Sequence, residues 1–171
     1  MNKKAIIAII IAGVIVPFAA YAIGPYFTNT TIDEPLPSSA VQTKAMEEKK
    51  AMEAKAMEED KSTIENSSLS SGSFVGADST HNVEGNALVI PTNDGKSILR
   101  LEEFKSTNGP DLYVYLATDT DASQFVSLGR LKANIGNQNY EIPAGTDLSK
   151  YDTVLIWCQQ FSVLFGSSVL S

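Results

Sequence analysis

Three side chains with redox or ligand chemistry occur once each among the 171 residues: Cys158, Trp157 beside it, and His81. A lone thiol supports sulfenic-acid or mixed-disulfide chemistry without a second cysteine. It rules out an internal disulfide, a C-x-x-C redox pair and a cysteine-cluster zinc site. A blue-copper centre takes two histidines and a cysteine, so within one molecule it stays incomplete. A haem would draw its axial ligands from His81 or Cys158, because no methionine follows Met57, and the C-x-x-C-H attachment motif is absent. A cysteine–histidine nucleophile pair would need His81 close to Cys158 and an orienting group, for which Asn82, Glu84 and Asn108 are the candidates. The sequence requires no cofactor and identifies none, and no metal site is expected. The plain alternative is that Cys158 fills core as a small hydrophobe and that His81 is a turn residue. No carboxylate pair or nucleophile elbow points to a hydrolase.

The elements that must position these residues read as strands. From Ser71 onward short apolar runs alternate with turn residues every eight to twelve positions, which predicts an all-β, sandwich-like domain. "NALVIPTNDGKSILRLEEF" predicts a hairpin, with strands over 86–90 and 97–104 around Asn93-Asp94-Gly95. "NGPDLYVYLAT" predicts a turn and then a strand. Leu112, Val114 and Leu116 share one face, and Tyr113 and Tyr115 share the other. Weaker strands are expected near 125–128 and 139–142. "TVLIWCQ" is apolar on both faces, with Val154, Ile156 and Cys158 on one side and Leu155 and Trp157 on the other. Such a strand belongs in the middle of a sheet. Two polar stretches, "NGPD" and "GNQNYEIP", read as a tight turn and as a loop whose amides satisfy buried backbone groups, with a polar rim over a ligand site as the alternative for each.

The N-terminus locates the molecule. Lys3 and Lys4 precede an uncharged, apolar run over 5–27, long enough for a transmembrane helix, which takes about 20 residues. The two lysines stay inside, which puts the C-terminal domain outside the cytoplasm. The run continues through Ile23 to Phe27, which argues for a retained anchor. A signal peptide cleaved near Ala22, after Ala20-Tyr21-Ala22, is the alternative. Three parts are therefore expected: a membrane anchor over 1–27, an extended and partly helical spacer over 28–67, and a β domain over 68–171. The repeat "KAMEEKKAMEAKAMEEDK" supplies good helix formers without a sustained apolar stripe, so the spacer is expected to stand in solvent and hold the domain off the membrane. Asn29-Thr30-Thr31 and Asn66-Ser67-Ser68 match the glycosylation acceptor pattern. A net charge of −7 with no basic patch excludes nucleic acid as a partner.

The C-terminal part resembles the electron-transfer DM-thirteen domain, a module of Skeletor-type extracellular proteins and of prokaryotic membrane-anchored proteins. The resemblance spans about 72–170 and rests on four blocks in order. "HNVEGNALVI" carries His81 and Gly85. "LRLEEFKSTNGPDLYVYL" carries Phe104 and the run Asn108, Gly109, Pro110, Asp111. "LGRLKANIGNQNYEIP" carries Gly136, Gln138 and Tyr140. "YDTVLIWCQQFSVLFG" carries Trp157, Cys158 and Phe161. The resemblance implies a β-sandwich-like fold and a redox or electron-transfer role centred on the cysteine that stands here as Cys158. The expected function is a membrane-tethered extracytoplasmic redox module with another extracytoplasmic protein as its partner. A β-sandwich binding or adhesion module with a structural cysteine is the alternative.

Overall fold

A computed structural model describes residues 28–37 and 70–171. The expected anchor, the charged repeat over 44–61 and the acceptor pattern at Asn66 lie outside these residues. Among the described residues the secondary structure is all strand, in two sheets, with no helix. The strands are β1 (Ser70–Ser73), β2 (Val75–Gly76), β3 (Val83–Pro91), β4 (Ser97–Ser106), β5 (Leu112–Ala117), β6 (Phe125–Arg130), β7 (Gln138–Ile142), β8 (Thr153–Cys158) and β9 (Val163–Val169). One sheet has the order β1-β3-β4-β7 and the other β2-β9-β8-β5-β6, and neighbours pair antiparallel.

The expected hairpin is β3–β4. Thr92 and Lys96 close its turn, where Thr92 N donates to Lys96 O at 2.9 Å and Gly95 takes φ 79°. Period-two alternation then sends one face of each strand inward. Leu99 and Leu101 of β4, Val114 and Leu116 of β5, and Val154 and Ile156 of β8 meet in one apolar cluster shared by both sheets. β8 lies between β9 and β5, as its two apolar faces predict. β3 carries a bulge between Glu84 and Asn86, where Gly85 takes φ 109°. A Cβ on Gly85 would stand 2.6 Å from the Glu102 carbonyl oxygen, so glycine is required there.

Residues 28–37 are extended, as their two prolines predict, and they lie against the first sheet as a strap. Thr31 bridges Ile135 in parallel. Ile32 N donates to Ile135 O at 3.0 Å, Ile135 N to Thr30 O at 3.1 Å, and Glu34 N to Asn137 O at 2.9 Å. Leu36 packs on Leu88 and Ile90, which point away from the main core. The polar strap follows no strand period, so its sequence signals only an extended chain. Its docking depends on carbonyls, amides and charges supplied by distant residues.

Candidate functional site

Cys158 is the last residue of β8. Its cross-strand partners are Leu112 on β5 and Val163 on β9. It points inward, is 1% exposed, and belongs to the same apolar cluster as Ile156, Leu112 and Phe165. It is a free thiol.

Trp157 points the other way because side chains alternate along a strand. It lies across from Tyr113 in the β5–β8 register. Trp157, Tyr113 and Leu164 pack against Tyr115 and Leu155 on the outer face of the second sheet. The Tyr113 and Tyr115 rings are 6.0 Å apart, and Tyr115 stacks on Phe125 at 4.2 Å with the planes 15° apart. Phe125 is 45% exposed. Arg130 sits 5.5 Å over the Tyr113 ring, its Nε donates to Tyr113 Oη at 3.2 Å, and it pairs with Asp111. Burial, with Tyr113 and Asp111 nearby, pushes the Tyr115 phenol above its ordinary value of 10.0. An aromatic file thus runs from the residue beside Cys158 to the surface.

His81 sits in the bend between β2 and β3. Its Nδ1 is 2.8 Å from Asp78 Oδ2, and its ring meets the Phe165 ring edge-on at 4.6 Å. Asp78 also accepts from the backbone N–H groups of Thr80 and His81, each at 2.7 Å. The His81 side-chain bond, then those from Thr80 and the His81 backbone, hold the Asp78 carboxyl well below its ordinary range. The Phe165 ring that His81 meets belongs to the same apolar cluster as Cys158, but no hydrogen bond joins His81 to the thiol. Of the orienting groups considered from sequence, Asn82 Nδ2 donates to Glu84 Oε1 at 2.9 Å and Asn108 Nδ2 to Asn29 Oδ1 at 3.0 Å. None reaches Cys158. Among the described residues no three His, Cys, Asp or Glu side chains converge as metal ligands.

Two open clefts lie at the end of the domain where β5 begins. One, of about 460 Å³, is lined by Asn29, Asn82, Glu84, Lys105, Asn108 and Asn134 among others. The other, of about 340 Å³, is lined by Thr28, Thr30, Gly109, Pro110, Arg130 and Lys132 among others. Cys158 lines neither. "NGPD" is thus both a turn and part of a polar rim.

Side chains that sequence reasoning passed over hold this end together. Asn134 Oδ1 accepts from Thr30 N at 2.6 Å, and its Nδ2 donates to Asn29 Oδ1 at 3.0 Å. Lys132 Nζ donates to Glu34 Oε1 at 2.8 Å. Burial works to raise the Glu34 carboxyl. The Lys132 bond, the Asn139 N–H and the charges of Lys132 and Arg100 outweigh it and hold the group below 4.5. Gln138 is fully buried. Its Nε2 donates to Ala133 O at 2.8 Å, while its Oε1 accepts from Ala133 N at 3.1 Å and from Tyr140 Oη at 2.8 Å. Gln138 opens β7, so "GNQNYEIP" is mostly strand where a loop was expected, but its amide does satisfy backbone groups, as read from sequence.

The family described as Electron transfer DM13 matches residues 73–170, more than half of the chain, and the chain belongs to that family. No curated protein and no solved structure matches it.

Proposed function

We propose that this protein is a membrane-tethered, extracytoplasmic redox module whose working group is Cys158, and that it exchanges electrons rather than thiol equivalents. Membership of an electron-transfer family supports a redox role. The observation that carries the finer reading is the position of Cys158. The sulfur is enclosed, yet its chain neighbour Trp157 opens a file of Tyr113, Tyr115 and Phe125 that ends at the surface. Mixed-disulfide formation requires contact between a thiolate and the other sulfur, and no cleft described above reaches this thiol. An electron needs only packed side chains. In the oxidising step Cys158 gives one electron to a one-electron acceptor on the partner protein and its proton to solvent water at the end of β8, where Gln159 and Gln160 are exposed, leaving a thiyl radical that the reverse step refills with one electron and one proton. Retention of the anchor over 5–27 would keep the module beside partners at the cell surface.

Pulse radiolysis tests this. Azide radicals oxidise Trp157 and the tyrosines, and the aromatic radical should decay in the folded protein at a concentration-independent rate. Cys158→Ala should abolish that decay. Identical decay in both proteins would leave the cysteine structural.

The second reading is an extracellular binding or adhesion module. The 1% exposure of Cys158 favours it, together with polar clefts that Cys158 does not line.

A further inference from the structure

The strap fixes the domain at its very start. Asn29 Oδ1 accepts from Asn108 Nδ2 and Asn134 Nδ2, each at 3.0 Å, and Thr30 N donates to Asn134 Oδ1. The apolar run ends at Phe27. A residue spans at most about 3.6 Å, so Asn29 lies within roughly 10 Å of the end of that run. The strap follows that run directly in the chain, so the distance between the run and the domain is set before Pro37.

The same end presents an apolar side chain to solvent. Phe161, in the turn between β8 and β9, is 58% exposed. Gln159 N donates to Asp111 O at 2.9 Å, which ties this turn to the Asn108-to-Asp111 turn on the rim of the strap's cleft. An exposed ring that enters the interfacial layer of a bilayer removes apolar surface from water. The cations here are largely spent, since Arg130 pairs with Asp111 and Lys132 with Glu34.

We infer that the end of the β domain bearing Asn108, Pro110 and Phe161 rests on the lipid surface, held there by the strap, with the opposite end facing outward. The inference rests on the retained anchor proposed above. Attraction to anionic lipid plays little part, so a zwitterionic bilayer suffices.

The full-length chain in phosphatidylcholine vesicles provides the test. Gln160→Cys places a bimane label at the near end, and Asp121→Cys places one beyond the far end of β5, about 17 Å further along the strand. The native Cys158 is buried and should take no label while the protein is folded, which the unsubstituted chain checks. A lipid with a nitroxide at its head group should quench the label at position 160 several-fold more than the label at 121, and added anionic lipid should leave the ratio unchanged. Equal, weak quenching in a chain that stays with the vesicles would overturn the seating and leave the anchor standing. Stronger quenching at 121 would overturn the orientation. A chain that washes off the vesicles would take down the anchor and the seating together.

Discussion

Across the strands from Cys158 stand the apolar residues Leu112 and Val163, and Ile156 and Phe165 belong to the same buried cluster. Cys158→Ala should cost roughly 1–2 kcal/mol in urea unfolding, the size of a small cavity. Cys158→Ser should cost more than alanine, because a hydroxyl without a partner adds a desolvation penalty of about 1–3 kcal/mol. A serine variant as stable as wild type would mean that the site holds a polar partner. A maleimide should react with the native thiol only after unfolding. Gln138 is the polar counterpart. Gln138→Ala removes the partner of Ala133 N–H, Ala133 C=O and Tyr140 Oη. Its expected loss is about 3 kcal/mol, seen as a lower urea midpoint at unchanged slope.

The strap is the element on which the surroundings of the polar end depend. Arg100 is 4% exposed because residues of the strap cover it. Its Nη1 donates to Glu34 O at 3.0 Å and to Asn139 Oδ1 at 3.0 Å, and its Nε to Glu102 Oε1 at 3.1 Å. Gly136 permits the approach. It takes φ 103°, and a Cβ there would stand 1.9 Å from Ile32 O. Gly136→Ala should therefore release the strap while the two sheets keep their β-type circular dichroism, and hydrogen exchange at Ile32 and Glu34 should rise. A chain that starts at Ser70 should still unfold cooperatively, since the shared core lies between the sheets, but with a loss on the order of 2 kcal/mol, comparable to one buried leucine. Acid should loosen the same contact. The folded state holds the Glu34 carboxyl below 4.5, so its contribution is present above that pH and is lost as pH falls through the folded value. Between pH 6 and pH 3 the wild-type melting temperature should fall further than that of Glu34→Gln. Parallel curves would show that the Lys132 pair contributes nothing measurable.

For the whole molecule, the proposed anchor runs directly into the strap that docks on the β domain. N-terminal sequencing of the chain recovered from membranes should find residues ahead of Ile23 retained. A mature chain that begins at Ile23 would make the apolar run a cleaved signal and would free the strap from the bilayer.

Local pattern made much of this legible in the sequence. The alternation of Leu112, Val114 and Leu116, the Asn93-Asp94-Gly95 turn and the doubly apolar β8 each report the immediate surroundings of a short segment, and period and turn chemistry are local properties. The amide role of "GNQNYEIP" was readable for the same reason. Tertiary structure alone decided the rest. β1 and β2 are short and rich in serine and glycine, and they exist because β3 and β9 offer free edges to pair with. The strap carries no periodicity, and its place comes from Ile135, Asn134, Lys132 and Arg100, all at least 66 residues away along the chain for the bonds they make. The alternation of β8 foretold that Cys158 and Trp157 face opposite ways. That the thiol is buried between Leu112 and Val163, while the indole joins a file of tyrosines, follows only from which strands lie beside β8, and that choice is made by complementarity between segments far apart in the chain.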